Sequence, residues 1–156
     1  MIDVRIEEKP AFAIVGCKRW IGGPDNDQFG VFWREARESG LVDRLRALAQ
    51  PGALGAGVFG VSCVEADPED RSFFFFIAAE GGPAEGLETH SVPACAWAVF
   101  RNRGPLPDAL VEAEMHAFMT WLPASPYVHA HAPELEVYPG GDAVEFWLPI
   151  AGREDP

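Results

Sequence analysis

The chain has 156 residues, 48% of them hydrophobic, which suits one ordinary domain or two very small halves sharing a core. Twelve basic residues against twenty-four acidic ones give a formal charge of −12, which repels a phosphate backbone and leaves no basic stripe for counterion release, so no direct nucleic-acid binding is expected. No charged-then-apolar leader opens the sequence and no apolar run approaches the thickness of a bilayer, so the expectation is a cytoplasmic protein without membrane contact.

From Val4 to Trp20 the sequence is strand-like, broken at Lys9-Pro10, and Gly22 to Asn26 forms a loop. A helix follows, because Phe29, Phe32, Trp33, Ala36, Leu41, Leu45, Leu48 and Ala49 recur at helical spacing, with Gly40 as a weak point. Pro51-Gly52 ends it. Two strands are predicted next, Val58 to Val64 and Ser72 to Ala79, joined by a polar turn from Glu65 to Asp70. Within the second, Phe73 and Phe75 share one face and Phe74 and Phe76 the other, so at least one pair is core. Leu87 to Asn102 is extended. Asp108 is the expected N-cap of a helix reaching Leu122, with Val111, Met115, Phe118, Met119 and Leu122 as its apolar stripe and Pro123 as its stop.

The last stretch reads as a β-hairpin. Pro-Gly-Gly-Asp separates Glu134 to Tyr138 from Val144 to Leu148, and alternation puts Glu134, Glu136 and Tyr138 on one face and Glu145 with Trp147 on one face of the partner strand. Carboxylates beside tryptophan and tyrosine suit neither open solvent nor a dry core, but they suit a half-dry cleft. Across the chain the order is β-α-β-β twice, over about 1–82 and 83–156, with echoes such as Pro10-Ala11-Phe12-Ala13 beside Pro93-Ala94-Cys95-Ala96. Each half is too small to be stable alone, so the two are expected to form a single α+β domain with a groove at their junction.

Three other features carry little chemistry. Gly55 to Gly60 matches G-x-G-x-x-G and Glu80 lies at a suitable distance for a ribose contact, but here a helix precedes the glycines and a strand follows, the reverse of a dinucleotide site. Ser62 lies inside a strand and lacks the second glycine of a nucleophile elbow. Cys17, Cys63 and Cys95 are widely spaced and read as small buried hydrophobes, while His129 and His131, in a loop between two prolines, read as solvent-facing. Neither a metal nor a cofactor is expected.

Four stretches resemble one known family. They are Ile6 to Gly16; Asp25-Asn26-Asp27-Gln28-Phe29-Gly30-Val31-Phe32-Trp33; Val92 to Phe100 followed by Gly104-Pro105; and Trp121-Leu122-Pro123-Ala124-Ser125-Pro126-Tyr127 followed by Pro133-Glu134-Leu135-Glu136-Val137-Tyr138. In order and spacing they resemble the GyrI-like, AraC-type effector-binding domains, above all the small stand-alone ones, some of them carried on integron cassettes. The resemblance implies duplicated SHS2-like modules with antiparallel sheets, two main helices and a central cleft for lipophilic, often cationic, small molecules. It places the pocket glutamate at Glu136, through the E-x-Y signature, with Glu145 as a second candidate. Tyr138, Trp147, Trp97 and Phe75 are the expected aromatic lining.

Two departures stand out: the chain starts directly at the effector module, where many relatives carry a DNA-binding domain, and Pro126 replaces a frequent glycine. Three functions stay open from sequence. The first is a loosely specific, multidrug-type receptor, the second a hydrolase of cyclopropane-bearing toxins using Glu136 and Glu145, and the third a module that relays ligand occupancy to a partner transcription regulator. A homodimer built on the aromatic residues is the remaining partner expectation.

Overall fold

The structure, a computed structural model, describes residues 2–23, 27–55 and 57–153. The loop read at 22–26, the start of the family's first-helix stretch and one position of the glycine run therefore lie partly outside the described residues. Among the described residues, nine strands form one antiparallel sheet: β1 (Asp3–Lys9), β2 (Phe12–Ile21), β3 (Phe59–Cys63), β4 (Phe73–Glu80), β5 (Glu88–Val92), β6 (Cys95–Arg103), β7 (Tyr127–His129), β8 (Glu134–Gly140) and β9 (Ala143–Gly152). Their order is β1-β6-β9-β8-β3-β4-β2-β5, with β7 paired to the far end of β9. Outward from the central β8·β3 seam, each half repeats the same sequence of roles: two hairpin strands, the strand before the helix, and a short arm. The arms are exchanged. β1 precedes β2 yet pairs with β6, and β5 precedes β6 yet pairs with β2.

Helices cover one face of the sheet. The first predicted helix is two, α1 (Asp27–Glu38) and α2 (Leu41–Leu48), because Gly40 takes φ +85°, a conformation that a side chain would disfavour, and there the axis turns. Phe32, Ala36, Val42 and Leu45 press onto Phe73, Phe75, Ile77 and Ala79 of β4. The second helix, α3 (Asp108–Met115), widens into a π-helical stretch over His116–Trp121 and closes with Leu122–Ala124. Asp108 is its first helical residue and not its cap, since Pro107 holds the preceding position.

The predicted apolar stripe of this helix is also corrected. Ala109, Ala113 and Ala117 are the buried residues, while Val111, Met115 and Met119 face outward, Met119 being 71% exposed. The helix lies close over Phe100 and Phe146, so only methyl groups fit beneath it, and the π turn shifts the later residues off the 3.6 period. Phe118 and Leu122 do reach that cluster.

Among the described residues, the other face of the sheet is buried without a helix. Ile14, Val61, Phe76 and Val92 from one half and Trp97, Val99, Leu135 and Trp147 from the other form a single cluster, which requires the sheet to curl around it. Of the four consecutive phenylalanines, Phe73 and Phe75 face the helices, Phe76 faces this inner cluster, and Phe74 is 40% exposed.

Candidate ligand-binding site

Residues directly opposite one another in antiparallel strands share a face, so register decides what the sheet presents to the helices. One row runs Ile77, Gly60, Glu136, Phe146, Phe100 across β4, β3, β8, β9 and β6. The next row runs Phe76, Val61, Leu135, Trp147, Val99 and points into the inner cluster. Helices α1 and α2 pack on the β2–β4 side and α3 on the β6–β9 side, which leaves β3 and β8 as the floor of a groove between them.

Glu136 stands at the centre of that floor. Its carboxylate is buried because Gly60 opposite has no side chain: a Cβ there would lie 2.3 Å from Glu136 Oε1 and 2.5 Å from the ring of Phe75. The Tyr138 hydroxyl donates to Oε2 at 2.8 Å, and the Trp33 indole N–H, reaching down from α1, donates to Oε1 at 3.3 Å. Burial pushes the Glu136 carboxyl above the ordinary carboxylate range, and these two donors offset only part of that. Burial and the neighbouring carboxylate likewise push the Tyr138 phenol up. The rings form a wall, with Trp33 edge-on to Tyr138 at 5.6 Å and to Phe75 at 6.4 Å. Tyr138 also rims a depression of about 440 Å³ bounded by Gly104, Leu106 and the turn from Gly140 to Ala143.

Two further acids line the groove. Glu114, on α3, has its carboxyl pushed up to about 8, first by burial and then by the charges of Glu136 and Glu134, with Arg71 opposing. Glu134 is buried as well. Arg71 forks onto it at 2.8 and 3.0 Å, and His129 Nε2 lies 2.9 Å away. Burial works against this charge, but His129 and Arg71 prevail and hold its pKa below the usual range. His129, expected in solvent, is instead tucked against Glu134 and stacked on Phe118. Glu134 is thus neutralised within the protein, whereas Glu136 has no basic side chain within ion-pair distance among the described residues.

The structure therefore brings Glu136, Tyr138 and Phe75 together and places the other three predicted residues elsewhere. Glu145 pairs with Val137 and Arg101, not with Glu136, so it occupies the opposite face from Glu136, which corrects its place as the second candidate for the pocket acid. There Arg5 binds it at 3.0 and 3.4 Å, Arg101 at 2.8 Å and the Trp147 N–H at 3.1 Å. Burial opposes its ionisation, yet these three partners hold its pKa low. Trp147 and Trp97 meet edge to face at 5.9 Å inside the inner cluster, and Trp97 is fully buried. Trp33 and Glu114, like Glu134, are groove residues that sequence reasoning did not assign to the site. Trp33 had counted only as one more apolar helix position, and Glu114 lies between Ala113 and Met115 with no motif to mark it.

Comparison with known proteins matches this fold. The model of the GyrI-like small molecule binding domain family covers residues 2–151. SAV2435, solved bound to tetraphenylphosphonium, superposes with a TM-score of 0.82 at 20% identity, over 96% of this chain and 94% of that one. An integron cassette protein from the mobile metagenome of Vibrio cholerae gives 0.74 at 14% identity over 95% of each chain. EcmrR, solved in a complex with DNA, gives 0.67 at 18% identity over 97% of this chain and 58% of its own. No curated protein sequence matches.

Proposed function

Because the chain belongs to the GyrI-like small molecule binding domain family, we propose that its groove is a receptor site for lipophilic cations in which Glu136 supplies the counter-charge. The observation that carries this reading is the buried Glu136 carboxylate, held by two hydrogen-bond donors and by no protein cation among the described residues. A carboxylate withdrawn from water without a counter-ion is costly, and a ligand cation relieves that cost. Trp33, Tyr138 and Phe75 present ring faces and edges that bury apolar surface and favour a delocalised positive charge, each contact worth roughly 0.5–2 kcal/mol according to how dry the site is. Stacking and one charge discriminate weakly, so varied bulky cations are accepted with micromolar affinity. Tetraphenylphosphonium bound to a structural neighbour of the same fold supports the choice of probe.

The test is a titration with tetraphenylphosphonium read by tryptophan fluorescence, for which Trp33 is the reporter in the groove. Saturable quenching that weakens at least about tenfold in Glu136→Gln is the expected result. Equal affinity in the variant would overturn the assignment.

One observation favours a second reading. Glu114 is an acid whose proton is retained near neutrality, beside a second carboxyl in an aromatic cleft, and such a pair suits general-acid hydrolysis of an electrophilic, cyclopropane-bearing substrate. Turnover abolished by Glu114→Gln would establish it, while saturable binding without turnover would refute it.

A further inference from the structure

Outside the groove, three donor side chains of different chemistry meet on the inner side of the sheet: Cys63 at the end of β3, Glu65 in the turn that follows, and His90 in β5. Between β3 and β5 lie two other strands, so a flat sheet would keep them roughly 14 Å apart, three strand spacings. The curl of the sheet closes that gap. The Cys63 Sγ, a Glu65 carboxylate oxygen and an imidazole nitrogen of His90 all lie within 4.8 Å of one another, and His90 Nε2 is 2.7 Å from Glu65 Oε2. The His90 ring is held against Phe76 at 5.5 Å, and Cys63 packs against the inner cluster, so two of the three donors are positioned by the core itself. All three remain partly open to solvent.

We propose that Cys63, Glu65 and His90 form a three-ligand site for a borderline-soft divalent transition metal ion of the Zn²⁺ class, independent of the Glu136 groove. Bonds of about 2.3 Å to sulfur and about 2.0–2.2 Å to nitrogen and oxygen put the donors on a tetrahedral ion roughly 3.3–3.6 Å apart. The imidazole and carboxylate must part by less than about 1 Å from their hydrogen bond, and the thiol must approach by at most about 1.5 Å, movements that side-chain rotation at a strand end and in a turn supplies. A mixed sulfur, nitrogen and oxygen set selects zinc or cobalt over magnesium or calcium, which prefer oxygen alone. A thiol binds the metal as thiolate, so uptake releases the Cys63 proton and strengthens as pH rises. Three protein donors leave the fourth position for water.

The test is a Co²⁺ titration of the full chain, followed by absorption spectroscopy and then by displacement with Zn²⁺. The expected result is uptake of a single equivalent with a thiolate-to-cobalt charge-transfer band. Cys63→Ser should abolish the band, and His90→Gln and Glu65→Gln should each weaken affinity at least about tenfold. Tetraphenylphosphonium binding should be unchanged in all three variants. Absence of the band in the wild-type chain, or a band that persists in Cys63→Ser, overturns the proposal.

Discussion

Gly60 and Glu136 face each other across the β3·β8 seam, and the carboxylate occupies the space that a side chain on residue 60 would fill. The acid at the centre of the groove is therefore positioned by an absence of atoms one strand away. Gly60→Ala is expected to push Glu136 out of its bonds with Tyr138 and Trp33, weakening tetraphenylphosphonium about tenfold and costing about 1–3 kcal/mol of stability. Paired titration and urea denaturation check both effects, and unchanged affinity would show that the Glu136 position does not matter to binding.

A second expectation concerns pH. An acid whose pKa rises on folding holds its proton more tightly in the folded chain, so the stability it contributes is complete below the unfolded value and drains away as pH rises through the folded one. For Glu114 that window runs from 4.5 to about 8, and Glu136 shifts in the same direction. The thermal midpoint of the ligand-free protein should fall across this range, with a flatter profile in Glu114→Gln. A permanent cation competes with those protons, so tetraphenylphosphonium affinity should climb over the same window, and an affinity that falls would contradict a carboxylate counter-charge.

Arg71 makes a third case. Its removal leaves Glu134 buried beside His129 alone, and Arg71→Ala should cost on the order of 2 kcal/mol, moderated because the guanidinium is half exposed. Adding Glu134→Gln should recover part of the loss, a coupling that a double-mutant cycle in urea measures. The Glu134 pKa is depressed, so its contribution is present above the ordinary carboxylate value and is lost as pH falls through the folded one. The Arg71 variant should therefore show a weaker acid dependence than the wild type.

The alanine face of α3 supplies the last prediction. Ala117 has no exposed surface and lies in the cluster with Phe100 and Phe146, so Ala117→Leu should destabilise by about 1–3 kcal/mol, while Met119→Ala should stay within about 0.5 kcal/mol. The stripe read from periodicity alone would give the reverse ranking.

Much of this was legible in the residues. The two β-α-β-β units, the break at Gly40, the closing hairpin and the shared face of Glu136 and Tyr138 follow from local chemistry, from alternation and turn residues, while the choice of Glu136 came from the family resemblance. What local chemistry does not encode is register. An irregularity between Val137 and Gly140 sets which residue of β9 opposes Glu136: the Gly140–Ala143 pairing continued without it would put Trp147 there and Glu145 opposite Tyr138, whereas the one-residue shift selects Phe146, so two acids that look equivalent in sequence end on opposite faces. The π turn at His116–Trp121 acts in the same way on α3, since one extra residue in a turn moves every later side chain around the axis. Trp33 was missed because its hydrogen bond joins residues 103 positions apart, a distance over which no pattern in α1 is informative.

The exchanged arms bear on how the chain acquires its shape. During synthesis the ribosome delivers β2 long before β5, its outer partner, while β1 waits for β6, so neither module can finish its sheet from its own segment. Pairings of such long sequence separation slow assembly and bind it into a single cooperative event. A nascent chain halted after the first hairpin therefore presents bare strand edges, and pulling on its N-terminus would unzip the module built by its C-terminal half.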